Sequence, residues 1–290
     1  MDAKTKQLQK MIWTCRDFIA ERAARAYIAG PELEDAMRAC YELLQSGFGC
    51  TISYWNSEGE STRQVADAYL AALEAIKERS RDCYLSIKLP GIDFSNQLLA
   101  EVLQVGKRNG VRVHFDSLGP ETVTQTWSKI SEALLTGNNI GCVLPGRWLR
   151  SLEDAEWAVK HALIVRVVKG QWVDPNDPNI NMRAGFLRVI DCLAGRARYV
   201  GVASHDVPLA EEAITRLKAS GTPCEVELLY GLPARGSIRM ARRMGVGVRF
   251  YVPYGKGWLP YCLSWAWRNP HVFWWMIKDF IMSGSSRNMG

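Results

Sequence analysis

The chain has 290 residues, 48% of them hydrophobic and 23% charged, with a formal net charge of +6 from 36 Lys and Arg against 30 Asp and Glu. Such a chain can bury a large core and falls in size between one big domain and two small ones. Its basic residues are spread along the sequence, which argues against nucleic-acid binding, and no apolar run approaches the ~20 residues that cross a bilayer.

In chain order, short β-branched or apolar runs bounded by turn residues begin at Cys50 (CTISYW), Cys83 (CYLSIKL), Val111 (VRVHFD), Ile140 (IGCVLP), Ala162 (ALIVRVVKG), Tyr199 (YVGVAS), Cys224 (CEVELLYG) and Val246 (VGVRFYVPYG). Between them lie helical patterns such as STRQVADAYLAALEAIKERS and PLAEEAITRLKAS, the second closed by SGTP. Strands alternating strictly with helices imply a parallel sheet with helices outside, and eight such units predict an α/β fold of (β/α)8 TIM-barrel type. An open doubly wound sheet is the alternative; against it, no GxGxxG follows the first strand. Without a low-complexity linker, residues 1–290 read as a single domain: helices over 1–45, the barrel over 46–283 and a flexible tail over 284–290.

Eight cysteines, at 15, 40, 50, 83, 142, 192, 224 and 262, form no CxxC pair and no zinc spacing. With no signal-like amino terminus, the chain reads as a reduced, cytoplasmic protein without structural metal. The carboxy-terminal VFWWMIKDFIM is either a helix packed on the core or a tryptophan-rich helix in peripheral contact with a membrane.

Barrel enzymes work at the carboxyl ends of their strands. There the sequence offers Tyr54, Lys88, Asp116, Arg166, Lys169, Ser204, His205, Glu227, Tyr230, Tyr251 and Tyr254. Two lysines, an arginine and a histidine at one mouth suit a polyanionic ligand such as a phosphate, with Gly170 letting backbone amides approach. Any single one of these residues is as well explained by an ion pair at the barrel mouth.

Taken in order, YIAG (27), TISYWNSEGES (51), LSIKL (85), HFDS (114), VRVVKGQW (165), ASHD (203), EVELLYG (225) and YVPYGKGWLPY (251) resemble the motifs of the proline dehydrogenase family across nearly the whole chain. The resemblance implies a distorted (β/α)8 barrel that holds FAD, removes a hydride equivalent from the carbon beside the ring nitrogen of proline, and passes electrons to a quinone or to oxygen. It implies that Arg166 donates near the flavin N5, and that Val168, Lys169, Gly170, Ser204, His205, Asp206 and Glu227 hold the cofactor. Lys88 and Asp116 match residues beside flavin and substrate, and Tyr251 would tune proton delivery. Lys88, Asp116, Arg166 and Tyr251 are therefore the expected catalytic set.

Several positions depart from the family. Two adjacent arginines that clamp the substrate carboxylate are replaced by Ser264 and Trp265, which removes charge-assisted bonds worth roughly 1.5 to 3 kcal/mol each. A flavin-bonding glutamine is Pro145, a seventh-strand glutamine is Glu227, an asparagine after His205 is Asp206, and a covering tyrosine is Trp172, followed by Val173 in place of an aromatic. A glutamate one turn beyond the arginine pair is Arg268, which shares a helix face with Tyr261, Ser264 and Trp265. Arg268, or Arg147, could supply a relocated clamp; alternatively Trp172, Trp265 and Trp258 line a larger apolar pocket, or simply pack. The expected substrate is a proline-like cyclic or secondary amine other than free proline in the usual pose, in keeping with a biosynthetic tailoring step. Competing functions are a barrel aldolase or lyase using a Schiff-base lysine at Lys88 or Lys169, and a non-catalytic flavin-binding barrel.

Overall fold

The computed structural model describes residues 29–257 except Ser80 and Asn138. Eight parallel strands close into a barrel in simple sequential order. They are β1 (Gly49–Tyr54), β2 (Cys83–Ile87), β3 (Val113–Phe115), β4 (Ile140–Pro145), β5 (Ile164–Val168), β6 (Tyr199–Ala203), β7 (Cys224–Leu229) and β8 (Gly247–Tyr254). Each expected strand is present, and the β1–β8 pairing that seals the cylinder runs from Gly49 opposite Arg249 to Tyr54 opposite Tyr254. The fold is thus the (β/α)8 barrel that strand and helix alternation predicts.

Helix α1 (Leu33–Gln45) precedes the barrel, and α2 (Thr62–Ala75), α3 (Asn96–Arg108), α4 (Val123–Leu135), α5 (Ser151–Lys160), α6 (Met182–Leu193), α7 (Val207–Ala219) and α8 (Arg235–Met244) each follow a strand. Their apolar stripes face the sheet: Leu209, Ala213, Ile214 and Leu217 of α7 are fully buried. Each large aliphatic side chain so buried contributes about 1.5 to 3 kcal/mol relative to exposure. Side chains set the helix starts. Ser61, Ser95, Asn181 and Asp206 each accept a hydrogen bond from the backbone two or three residues into the helix that follows. Because α7 is capped by Asp206, only Ser204, His205 and Asp206 separate β6 from its helix, which holds all three at the barrel mouth.

Two helical glycines differ in what surrounds them. A β-carbon at Gly185, in the first turn of α6, would lie 1.9 Å from the carbonyl oxygen of Gly146, directly after β4. A β-carbon at Gly236 of α8 would meet only Val207 Cγ2, at 3.4 Å. Two Gly→Ala changes inside helices therefore have opposite signs. Gly185→Ala should destabilise the fold by about 2 kcal/mol through overpacking, while Gly236→Ala should be neutral or stabilise by up to about 1 kcal/mol. Urea unfolding of both variants is the check.

Candidate active site

The barrel interior is not filled with branched aliphatics, the usual occupants. Its lower storey stacks cations on an aromatic ring, with the Arg112 guanidinium 3.7 Å and that of Arg249 4.7 Å from the centre of the Tyr84 ring. Arg249 also donates to Glu225 at 2.7 Å and to the carbonyls of Cys50 and Asp82, each at 2.8 Å. The Tyr84 hydroxyl then points up into the next storey, donating to Glu227 Oε2 at 3.0 Å.

That storey is organised by Arg166, an inward residue of β5 that is 5% exposed. One side of its guanidinium donates to Glu227 Oε1 at 2.8 Å, and the other contacts Asp116 Oδ1 and Ser86 Oγ. Its β6 neighbour in register is Gly201, which adds no side chain beside it. Burial alone would weaken the guanidinium charge, but Glu227 and then Asp116 outweigh it and hold Arg166 well above the usual arginine range.

Asp116 connects this group to the mouth. Its Oδ1 also accepts from Ser86 Oγ at 2.6 Å, while Oδ2 accepts from the Tyr251 hydroxyl at 2.9 Å and lies 3.3 Å from Lys88 Nζ. Burial works against the carboxylate, yet Arg166 and then Lys88 keep it below the ordinary aspartate value. Lys88 Nζ is enclosed by Ser53 Oγ at 2.5 Å, the Tyr54 carbonyl at 3.1 Å and the Tyr251 hydroxyl at 3.3 Å, and it sits 4.2 Å from the centre of the Trp55 ring. Its backbone is held from outside by Tyr69 of α2, whose hydroxyl accepts from the Lys88 amide at 3.0 Å and donates to the Lys88 carbonyl at 3.1 Å. Burial is the main reason the ammonium is pushed down to about 8, against the pull of Asp116. Burial, then the charge of Asp116, raises the Tyr251 phenol well above its ordinary value.

A second group follows the mouth along the ends of β4, β5 and β6. Lys169, two-fifths exposed, donates to Asp206 Oδ2 at 3.0 Å. Burial opposes the Asp206 carboxylate, but this bond from Lys169 lowers it. Ser204 Oγ accepts from the Asp206 amide at 3.1 Å. Gly170 adopts φ +90°, where a β-carbon would lie 3.0 Å from the β-carbons of Arg147 and Pro145. The Arg147 side chain donates to the Gln171 carbonyl at 3.3 Å, leaving its buried Nε without a partner. Behind this rim the β5–α6 loop is tied to the β4–α5 loop. Trp148 Nε1 donates to the carbonyl of Trp172 at 3.0 Å, and buried Asp174 accepts from the amides of Leu149 and Asn176, each at 2.8 Å.

His205 is held differently from a ligand-facing base. Its Nε2 accepts from the Leu229 amide at 2.8 Å, so the proton resides on Nδ1, 3.3 Å from the Pro233 carbonyl. Burial first, and the nearby Lys169 charge, lower its basicity. Both nitrogens are thus committed to the backbone of the β7 end. Tyr230 is half-buried just beyond that strand, and the Tyr254 hydroxyl donates to the Ala68 carbonyl at 3.3 Å.

Sequence comparison matches the chain at 28% identity over 256 residues, covering 82% of it and 84% of the relative, to proline dehydrogenase 1 of Bacillus subtilis subsp. natto. The proline dehydrogenase of Deinococcus radiodurans matches at 22% identity over 262 residues, covering 82% of this chain and 83% of the relative. The chain is similar to proline dehydrogenases over most of its length. No family model matches it. Among solved structures, proline utilization A from Bdellovibrio bacteriovorus, inactivated by N-propargylglycine, shares the fold with a TM-score of 0.73 at 17% identity. The match covers 83% of this chain and 32% of that much longer one.

Of the residues that the proline dehydrogenase motifs single out, the structure gathers Lys88, Asp116, Arg166, Tyr251 and Glu227 into one hydrogen-bonded network. Lys169, Gly170, Ser204 and Asp206 form the rim group, and Val168 ends β5 between the two. Trp172 and Val173 lie in the tied β5–α6 loop. Tyr261, Ser264, Trp265, Arg268 and Trp258 lie outside the described residues, as do most of the amino-terminal segment, the aromatic run and the tail. Thr51, Ser53, Tyr84 and Ser86 also belong to the network, beyond the residues that the motifs single out. Their signal is the hydroxyl at every second position of otherwise apolar strands, aimed to one face. Among the described residues, no cluster of His, Cys, Asp or Glu could hold a metal, and no helix is long and apolar enough to cross a membrane.

Burial separates the two groups in energetic weight. Asp116→Asn removes a carboxylate from between two buried cations and should destabilise the protein by about 3 to 5 kcal/mol. Lys169→Ala breaks a pair exposed to solvent on both sides and should change stability by less than about 1 kcal/mol. Denaturant titration of the two variants reads the difference.

Proposed function

We propose that the protein is an FAD-dependent oxidoreductase acting on the C–N bond of a proline-like cyclic or secondary amine. The observation that carries the reading is Arg166, a guanidinium fixed by two buried carboxylates in the middle of β5, four residues before the positive-φ Gly170 and three before the rim cation Lys169. The donor set fits the cofactor. Lys169, Gly170 and Ser204 would hold its ribityl and phosphate portions, the unpartnered Arg147 Nε offers a further buried donor, and Arg166 would lie beside its ring. FAD, when bound, supplies the hydride-accepting ring.

The chain's own groups prepare the substrate. Oxidation of an amine beside its nitrogen needs the nitrogen lone pair to form the C=N bond as hydride leaves, so the amine must shed its extra proton first. A protonated Lys88 repels a cationic amine, and its loss of a proton near pH 8 relaxes that repulsion. Tyr251, hydrogen-bonded to Asp116 and Lys88, holds its phenolic proton across the working range and keeps the pair aligned. Electrons would leave to a quinone or to oxygen. Ser264 and Trp265, in place of the family's arginine pair, support a substrate without the usual clamp on a free carboxylate.

Reconstitution with FAD should give a protein with flavin absorption that is bleached anaerobically by cyclic or secondary amines, and by proline esters or amides better than by free L-proline. A colourless protein after reconstitution would remove the reading; efficient bleaching by L-proline at low concentration would remove its substrate half. A lysine imine at Lys88 is the competing chemistry, since that amine is buried and lowered, and borohydride trapping of a carbonyl compound on Lys88 would identify it.

The pH profile tests the role of Lys88. For the wild type, kcat/KM should rise as pH passes through about 8, and Lys88→Met should flatten that limb. A limb of unchanged position in the variant would assign the ionisation to another group.

A further inference from the structure

We propose that Glu227 is a redox-tuning residue, which neutralises Arg166 from inside the barrel and thereby holds the reduction potential of the bound flavin low. The inference rests on the FAD reading above and concerns Glu227, at a position where the resemblance to proline dehydrogenases implies an uncharged glutamine.

Glu227 is 3% exposed, and its only access to charge is through its neighbours. Three donors converge on its two oxygens: Thr51 Oγ1 at 3.0 Å and Arg166 Nη1 at 2.8 Å on Oε1, and the Tyr84 hydroxyl at 3.0 Å on Oε2. An oxygen pair that only accepts, one of its donors being a guanidinium, is that of a carboxylate. The upper storey then contains two cations, Lys88 and Arg166, facing two carboxylates, Asp116 and Glu227. With glutamine at 227 the same storey would carry one uncompensated positive charge. In a site from which water is excluded, such a charge acts over several ångströms with little screening.

A flavin ring gains electron density when it takes up a hydride, so a net positive charge beside it favours the reduced form and raises its potential. Glu227 cancels that charge without removing the directional donors of Arg166. The guanidinium stays in place as a positioning group, while the field it projects is largely that of a neutral pair. A flavin held low is harder to reduce but a stronger reductant once reduced. Lowering the flavin potential adds driving force to its reoxidation by a quinone or by oxygen.

The test compares FAD-loaded wild type, Glu227→Gln and Glu227→Asp by dye-equilibrated reductive titration, which reads the midpoint potential independently of turnover. Glu227→Gln should favour binding of reduced over oxidised FAD at least about tenfold more than the wild type does, a potential about 30 mV more positive for a two-electron couple. Glu227→Asp keeps the charge and should stay close to wild type. Equal potentials in wild type and Glu227→Gln would overturn the proposal, as would equal shifts in both variants, which would mark a merely structural role. If Glu227→Gln does not fold, Tyr84→Phe decides: withdrawing a neutral donor leaves the carboxylate less compensated and should move the potential to more negative values. No change, or a change to more positive values, would overturn the proposal. Failure of the wild type to take up FAD would overturn both this inference and the reading on which it rests.

Discussion

A guanidinium enclosed in a barrel must be met by negative charge, and the contacts of Arg166 with Asp116 and Glu227 are the constraint around which the interior is arranged. Taking one cation and two carboxylates out of water is costly, and a third neighbour must offset the surplus. Lys88 does so from the mouth side, 3.3 Å from Asp116. The uncharged partners follow from the same need: Thr51, Tyr84 and Ser86 spend their hydroxyls on the oxygens that the cations leave free. Gly201 adds no side chain beside the arginine. A lattice of this kind adds little net stability compared with an apolar filling, but it fixes a charge and its donors with no freedom to reorient.

Much of the architecture was legible because the barrel repeats one unit. Each strand had β-branched or apolar runs ending in turn residues, and several helices had a capping side chain at their start, so the order of elements could be read without any long-range contact. The residues at strand ends were legible for the same reason, since a strand's last inward position is known once its period is known. Pairing inside the cylinder was not. Asp116 and Glu227 come from strands separated by 111 positions in the chain, and their common partner sits on a third strand. Nothing local says that Arg166 is neutralised rather than free. The same limit applies to His205, whose nitrogens are committed to the backbone of Leu229 and Pro233, contacts set by how two loops pack.

A mouth rich in cations is thus not a positively charged one. Lys88 and Arg166 carry charge, but they carry it inside a balanced set, so the cation that faces solvent most directly in this group is Lys169, itself paired with Asp206. The electrostatic character of the site therefore divides by depth: charge-balanced inside the barrel, and tunable by single substitutions at the rim. The barrel fixes the frame in which such substitutions act.

Asp174 draws a different kind of consequence from packing. With one carboxylate oxygen on the Leu149 amide and the other on the Asn176 amide, it joins two consecutive loops, and Trp148 repeats the link through the Trp172 carbonyl. Arg147 and Trp172 thus ride on one stapled unit rather than on independent arms. Natural drift toward a new substrate cannot reshape one of these loops alone, because any insertion in either must first preserve the shared anchor. The route open to such a protein is exchange of side chains on a fixed frame.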